Sequence, residues 1–263
     1  MPTAYEKVLA KYEWAKQHVN QLESAIDDFR SANPHSIATK HDNQRDEITY
    51  HLTAVPVIPD HIGLMLGDAI HNLRTTLDHL AWALVAEAGG TLDEHTSFPI
   101  SNLSKDFKSV MGSRVKGLGE HCRKAIERVQ PYPDGRGRWA WQLHHLDIID
   151  KHQLVPTVTT VPVGRTMMPS EKKAFDRRES LIGPHAHAAI QYTSAANSPT
   201  IRAVQAGDIL GTFRFSEVQE DMGFSFDVAV YEPEIISLIP ACFLLKWLSA
   251  EVRAVINELA CFL

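Results

Sequence analysis

The segment GDAIHNLRTTLDHLAWAL, residues 67 to 84, carries side chains of the types that do chemistry. Imidazole and carboxylate groups serve acid–base and metal chemistry, and guanidinium groups bind phosphate. A helical period of 3.6 residues arranges them in two adjoining rows: His71, Arg74 and Asp78, and beside them Asp68, Asn72, Thr75 and His79. Glu, Lys and Gln, which a solvated helix favours, are absent between positions 60 and 86. This polar face is therefore expected to be a functional surface or an inward network in which Asp78 pairs with Arg74.

A second polar cluster lies in LHHLDIIDKHQL, residues 143 to 154. His144, Asp147 and Lys151 share one stripe of the predicted helix, and His145 and His152 share another. We expect this helix to face the first one across a bundle, so that the two form one polar cavity. Asp147 and Lys151 also fit an ordinary pair of charges on a solvated surface. Both interpretations remain open at this point.

Arg74 and His79 form the pattern R-x4-H, here R-TTLD-H, on the first predicted helix. In this pattern the chain resembles the HEPN superfamily of helical-bundle ribonucleases and nucleotide-binding domains. The resemblance implies a metal-independent endoribonuclease, or an RNA-binding or nucleotide-binding protein, of defence or toxin type that works as a homodimer. His79 would transfer protons for attack by the ribose 2′-OH, and Arg74 would stabilise the phosphate. The combination with QPYPDG and DIIDKHQLV is also similar to that of uncharacterised bacterial proteins.

Other polar residues of the two clusters would support Arg74 and His79. They are His71, Asn72, Asp78, Asp68, His145, Asp150, Lys151 and His152. An RNA strand would be held by basic residues between 113 and 138, where seven Lys or Arg stand against three acidic residues. The candidates are Arg114, Lys116, Arg123, Lys124, Arg136 and Arg138. Because the net charge is −6, the molecule as a whole does not attract nucleic acid. The alternative interpretation is that these basic residues are scattered surface charges without a binding role.

A metal site is the competing hypothesis for the same polar face. Its ligands would be Asp68, His71, His79 and His152, with His145 as an alternative to the last. Such N and O ligands suit Zn or another divalent transition metal, and helical bundles hold such sites between facing helices. His185 and His187 would share one face of a strand, but two ligands do not make a site. Because no H-E-x-x-H or E-x-x-H motif is present, the first expectation is a site without a cofactor.

Several other function classes are disfavoured. The sequence lacks a P-loop, a G-x-G-x-x-G motif and a G-x-S-x-G elbow. Cys122, Cys242 and Cys261 form no C-x-x-C motif, so neither a disulfide framework nor a thiolate zinc site is indicated. The N-terminus lacks the apolar run of a secretory signal, and Pro240 and Lys246 interrupt the most apolar stretch. We therefore expect a cytoplasmic protein that binds RNA, a nucleotide or a regulatory protein such as an antitoxin, or a non-catalytic protein whose polar network is structural.

The elements that must position these residues follow from periodicity. We predict helices from 5 to about 29, from 60 to the Gly89-Gly90 stop, at 117–129, at 137–152 and at 234–262, with a strand or connector at 48–58. Alternating β-branched and aromatic residues predict strands in LVPTVTTVPV, HAHAAIQYT, TIRAVQA and FRFSEVQEDMGFSFDVAV. The fold class is therefore α+β, with a helical bundle closed by the N- and C-terminal helices and an antiparallel sheet inserted in the C-terminal half. Residues 1–263 would form one composite domain, with a helical core at 1–153 plus 234–263 and the sheet region at 154–233.

Overall fold

The computed structural model describes residues 2–32, 35–152, 158–165, 202–218 and 222–263. Its helices are α1 (Ala4–Ala32), α2 (Asp60–Glu87), α3 (Phe107–Arg114), α4 (Glu120–Val129), α5 (Arg138–His152) and α6 (Ala241–Leu259). Its strands are β1 (Ser36–Asp42), β2 (Glu47–Ala54), β3 (Val158–Arg165), β4 (Ile209–Arg214), β5 (Phe224–Glu232) and β6 (Ile236–Pro240). The predicted α+β class is confirmed.

Helix α2 is the central element for the candidate site. It begins after Pro59, whose backbone is extended, and ends at Glu87, just before Gly89 with φ +65°. The predicted apolar face is fully buried; it consists of Ile62, Leu66, Ile70, Leu73, Leu77, Leu80 and Leu84. Each such side chain contributes about 1.5 to 3 kcal/mol by leaving water. This face fixes the rotation of α2 about its axis, and with it the direction of the polar rows.

Helices α5 and α6 both pack against α2. Helix α1 buries Val8, Ala15 and Leu22 on one side, at the spacing expected for a long amphipathic helix. The hydroxyl groups of Tyr12 on α1 and Ser249 on α6 lie 3.0 Å apart and are buried. Among the helices of the described ranges, none combines the length and the apolar character needed to cross a membrane.

The strands of the described ranges belong to two antiparallel sheets. In the first, β2 lies between β1 and β4, with Tyr50 opposite Thr39 on one side and Gly211 on the other. In the second, β3 pairs with β5, with Thr160 opposite Val228. Strands β1 and β2 precede α2, so the first sheet takes strands from both halves of the chain.

The residues group into two compact units. The first contains Met1–Ile26, Pro59–Thr157 and Glu232–Leu263, and the second contains Asp27–Ile58 and Val158–Tyr231. The contacts of α2 and α5 described below lie in the first unit. That the whole chain forms one composite domain stays a prediction.

Some predicted elements were wrong in extent. The helix predicted to begin at Glu234 begins at Ala241, because Pro240 lacks an N–H group and the Ile-rich residues before it form β6. The helix predicted from residue 117 begins at Glu120, because Gly117 has φ +89°. Residues 202–205 of the predicted strand TIRAVQA are not in a strand, and HAHAAIQYT lies outside the described residues. Strand β1 and helix α3 were not predicted.

Candidate functional site

The polar faces of α2 and α5 meet, as the sequence led us to expect. His71 on α2 bonds to Asp147 on α5, and one turn along, Arg74 bonds to His144. Along this contact the residue numbers increase on α2 and decrease on α5, so the two helices run antiparallel. The two clusters therefore form one continuous interhelical network.

Arg74 is the buried centre of this network, with its side chain only 6% exposed. Its Nη1 donates to Asp78 Oδ1 at 2.6 Å, its Nε donates to His144 Nδ1 at 3.3 Å, and its Nη2 donates to the Phe98 carbonyl at 3.4 Å. Asp78 Oδ1 also accepts from the Phe98 backbone N–H at 2.9 Å. The guanidinium group thus ties together α2, α5 and the loop after α2. The pairing of Asp78 with Arg74 expected for an inward network is present.

His71 stands at the edge of the network, and its ring is partly in solvent. Its side chain is 43% exposed, whereas that of Asp147 is 4% exposed. His71 Nδ1 lies 2.9 Å from Asp147 Oδ1; because a carboxylate only accepts, Nδ1 carries the proton. Lys151 Nζ donates to the other carboxylate oxygen at 2.6 Å, and Thr75 Oγ1 lies 3.4 Å from His71 Nε2. The imidazole is thereby held in one tautomer, with the unprotonated Nε2 beside the hydroxyl group of Thr75.

His144 is held in its neutral form. Burial, the positive charge of Arg74 and the neighbouring His145 lower its pKa to about 4, and Asp147 opposes this shift more weakly. Its Nδ1 accepts from Arg74 Nε, so the ring proton of the neutral form is on Nε2. His144 is therefore an uncharged hydrogen-bonding partner for a buried cation at neutral pH.

The second polar row of α2 faces α1. Lys11 Nζ donates to Asn72 Oδ1 at 2.7 Å, and Asn72 Nδ2 donates to the Asp68 carbonyl at 2.8 Å. The His79 side chain is exposed overall, but partial desolvation of its ring and the charge of Lys11 lower its pKa, and the charge of Asp78 opposes this shift. Asn72 is thus mainly a helix-pairing residue, whereas Asp68 and His79 of this row are exposed.

The remaining supporting candidates lie on α5. His145 Nε2 and Trp141 Nε1 both lie 2.9 Å from Asn102 Oδ1, which places His145 beside the loop and away from His71. Burial and the charges of Asp147 and Asp68 raise the pKa of the Asp150 carboxyl group. The side chain of His152 lies outside the described residues.

The alternative metal set is not assembled by its described members. Among the residues that the structure describes, no group of three or more His, Cys, Asp or Glu is placed to hold a metal ion. Asp68 and His71 lie on consecutive turns, but His79 follows His71 by eight residues, about 12 Å along the axis. His185 and His187 belong to the segment that is not described.

Most of the basic candidates between 113 and 138 are exposed and paired within the chain. Lys116 bonds to Asp93 at 2.7 Å, and Lys124 bonds to Glu120 at 2.6 Å. Arg114 donates to the His95 carbonyl at 3.2 Å, and Arg136 donates to the Arg128 carbonyl at 3.0 Å. Arg123 and Arg138 are exposed and make no ion pair in the described part of the chain. These contacts do not place any of the six at the network of Arg74 and His71.

The sequence interpretation did not single out two central features. Asp147 is the buried anchor of His71, although it had been noted only as a member of a stripe. Its spacing of four residues from buried Leu143 is a signal that could have placed it inward. The backbone of Phe98, which serves both Arg74 and Asp78, left no such signal, because a main-chain contact does not depend on side-chain type.

Comparison with known proteins adds no family at this point. Scans against protein-family models, curated proteins and solved structures each found no match. The candidate site therefore rests on its own geometry.

Proposed function

We propose that this chain is a metal-independent endoribonuclease that uses His71 as its general base. The observation that supports this best is the exposed imidazole of His71, oriented by the buried Asp147 carboxylate. A histidine held by a carboxylate through Nδ1 presents an unprotonated Nε2, which is the arrangement of a catalytic base. The ribose 2′-OH of an RNA strand would lose its proton to this nitrogen.

From the same geometry we propose a role for Arg74 that differs from the role implied by the HEPN resemblance. Its side chain is buried, and Asp78, His144 and Phe98 accept its hydrogen bonds. In our proposal Arg74 is a positioning residue that holds α5 and the loop against α2. The positive charge near the reacting phosphate would come from Lys151, which is 44% exposed and bonded to Asp147.

His79 is proposed to bind the RNA strand rather than to act in the chemical step. It is exposed on α2 and lies about 12 Å along the helix axis from His71, too far to share one phosphate. Leu64 and Trp82 are 55% and 46% exposed on the same helix, at a spacing compatible with one outer stripe. We further propose a homodimer formed through this stripe. An RNA-cleaving protein of defence or toxin type would act in the cytoplasm and would need a restraining protein partner.

The test is RNA cleavage in the presence of EDTA by the wild type, His71→Ala and, as a matched control, His41→Ala on the exposed surface of β1. Purified protein is incubated with mixed tRNA and mRNA. We expect cleavage that leaves 2′,3′-cyclic phosphate ends, a loss of about 100-fold or more in His71→Ala, and no change in His41→Ala. The proposal is refuted if the wild type does not cleave, or if His71→Ala cleaves as fast as the wild type.

A second candidate function is that of a non-catalytic protein whose network only fastens α2 to α5. It is supported by the three internal hydrogen bonds that Arg74 donates, one from each of its guanidinium nitrogens. On this alternative, His71→Ala lowers the free energy of unfolding and no RNA is cut by any variant. Urea unfolding of the same preparations separates the two candidates.

A further inference from the structure

Gly67 stands inside α2, where glycine costs about 1 kcal/mol relative to alanine. The reason for a glycine at this position is a residue of the facing helix α5, Asp150. A Cβ atom at position 67 would come within 1.9 Å of Asp150 Oδ1 and 2.6 Å of Asp150 Cγ. The carboxyl group of Asp150 therefore lies directly on the α2 backbone, in space that only glycine leaves open.

Asp150 lies among the residues of the proposed site. The charged groups that act on it are Asp68 and His71 from α2 and Asp147 and Lys151 from its own helix. In the described part of the chain, no group donates a hydrogen bond to its carboxyl group. Burial and the two other carboxylates raise its pKa more than His71 and Lys151 lower it, so it keeps a proton to a higher pH than an exposed aspartate.

The two acidic residues of α5 are spaced along their helix like the two residues of α2 that they contact. Asp147 meets His71 and Asp150 meets Gly67, so the two contacts are one helical turn apart on each helix, about 5 Å along the axis. A base and an acid that serve the two ends of one phosphodiester need such a separation. His71 also acts electrostatically on Asp150, so the two side chains lie near enough to each other to serve a single phosphate.

We propose that Asp150 is the catalytic acid that protonates the leaving group in the RNA cleavage, and that Gly67 is the positioning residue that seats it. This inference rests on the proposed ribonuclease function. His71 Nε2 takes the proton of the 2′-OH while the 2′ oxygen forms a bond to phosphorus. The bond from phosphorus to the 5′ oxygen breaks, and that oxygen receives the proton of Asp150. The products are a 2′,3′-cyclic phosphate and a 5′-OH end, and solvent returns both residues to their starting protonation states.

The test compares two substrates in EDTA. The first is an RNA oligonucleotide, whose ribose leaving group needs a proton, and the second is uridine 3′-(4-nitrophenyl phosphate), whose nitrophenolate leaves without one. Asp150→Asn is expected to lower kcat on RNA about 100-fold with little change in KM, and to cleave the nitrophenyl ester almost as fast as the wild type. His71→Ala is expected to lose both activities. The exposed α1 variant Asp28→Asn is the matched control and is expected to keep both.

The pH profile gives an independent measurement. The wild type should show a bell-shaped dependence of kcat on RNA, because one group must be unprotonated and another protonated. For Asp150→Asn, kcat on RNA should instead rise with pH to a plateau. Gly67→Ala should resemble Asp150→Asn, because its methyl group displaces the carboxyl group; should it fail to fold, the nearly isosteric Asp150→Asn still decides the question.

The outcomes separate this inference from the function on which it rests. A wild type that cleaves neither substrate overturns the proposed function, and the role of Asp150 with it. A wild type that cleaves both, with Asp150→Asn either unchanged on RNA or reduced equally on both substrates, overturns the role of Asp150 alone.

Discussion

The neutral state of His144 predicts how the stability of the helical unit depends on pH. Its pKa in the folded chain is about 4, against an ordinary value of 6.5. Below pH 6.5 the unfolded chain takes up a proton that the folded chain does not, so stability falls as pH decreases toward 4 and is fully present above 6.5. At about 1.4 kcal/mol per pH unit, the expected loss is about 3 kcal/mol.

The assay is urea unfolding at several pH values between 7 and 4, followed by tryptophan fluorescence. All five tryptophans lie in the first compact unit, so the signal reports on the unit that contains His144. His144→Asn keeps a hydrogen-bond acceptor near Nδ1 but does not titrate. Burial also lowers the pKa of His79 and His145, so the informative quantity is the difference between the wild type and this variant.

We expect the free energy of unfolding of His144→Asn to fall by about 3 kcal/mol less than that of the wild type between pH 7 and pH 4. His121→Asn, on the exposed surface of α4, is the matched control and should follow the wild type. Parallel curves for His144→Asn and the wild type would refute the reasoning, as would an NMR titration that places the pKa of His144 near 6.5.

Two further predictions concern stability at neutral pH. Arg74→Ala should lower the free energy of unfolding by about 3 kcal/mol, because it leaves Asp78 without its cationic partner in a partly buried site, whereas exposed His79→Ala should change it by at most about 0.5 kcal/mol. Urea unfolding of the two variants checks this, and similar losses would contradict the assigned burial. Tyr12→Phe should cost about 1 kcal/mol, because it removes the buried hydrogen bond to Ser249. In a double-mutant cycle with Ser249→Ala, a coupling energy near zero would show that the two hydroxyl groups do not interact.

The sequence predicted the elements whose periodicity is strong. Helix α2 is an example, because seven apolar residues at steps of three and four predict a helix with a single buried face. The sequence pattern was weaker where the chain passes from a strand to a helix. Ile236 and Ile239 fit a helical pattern as well as a strand, and β6 ends at Pro240, directly before the first residue of α6.

The candidate site was predictable in its residue types but not in its pairings. The polar row of His71, Arg74 and Asp78 follows from helical spacing, and the contact between α2 and α5 follows from the two polar faces. Which imidazole would be buried depended on the rotation of α5. His144 came to lie against Arg74, while the adjacent His145 turned toward Asn102. Composition cannot distinguish two neighbouring histidines.

The ladder of polar contacts between α2 and α5 has a consequence for the folding of the chain. Asp150 lies on Gly67, Asp147 on His71 and His144 on Arg74, in step along two antiparallel helices. Leucines facing leucines would tolerate a slide of one turn, about 5.4 Å, with little loss of contact. The same slide here would break all three contacts at once, and in one direction it would set the buried Arg74 guanidinium opposite Ala140 and Trp141. The ladder therefore favours the observed register of the helix pair, a form of specificity that hydrophobic burial alone does not supply.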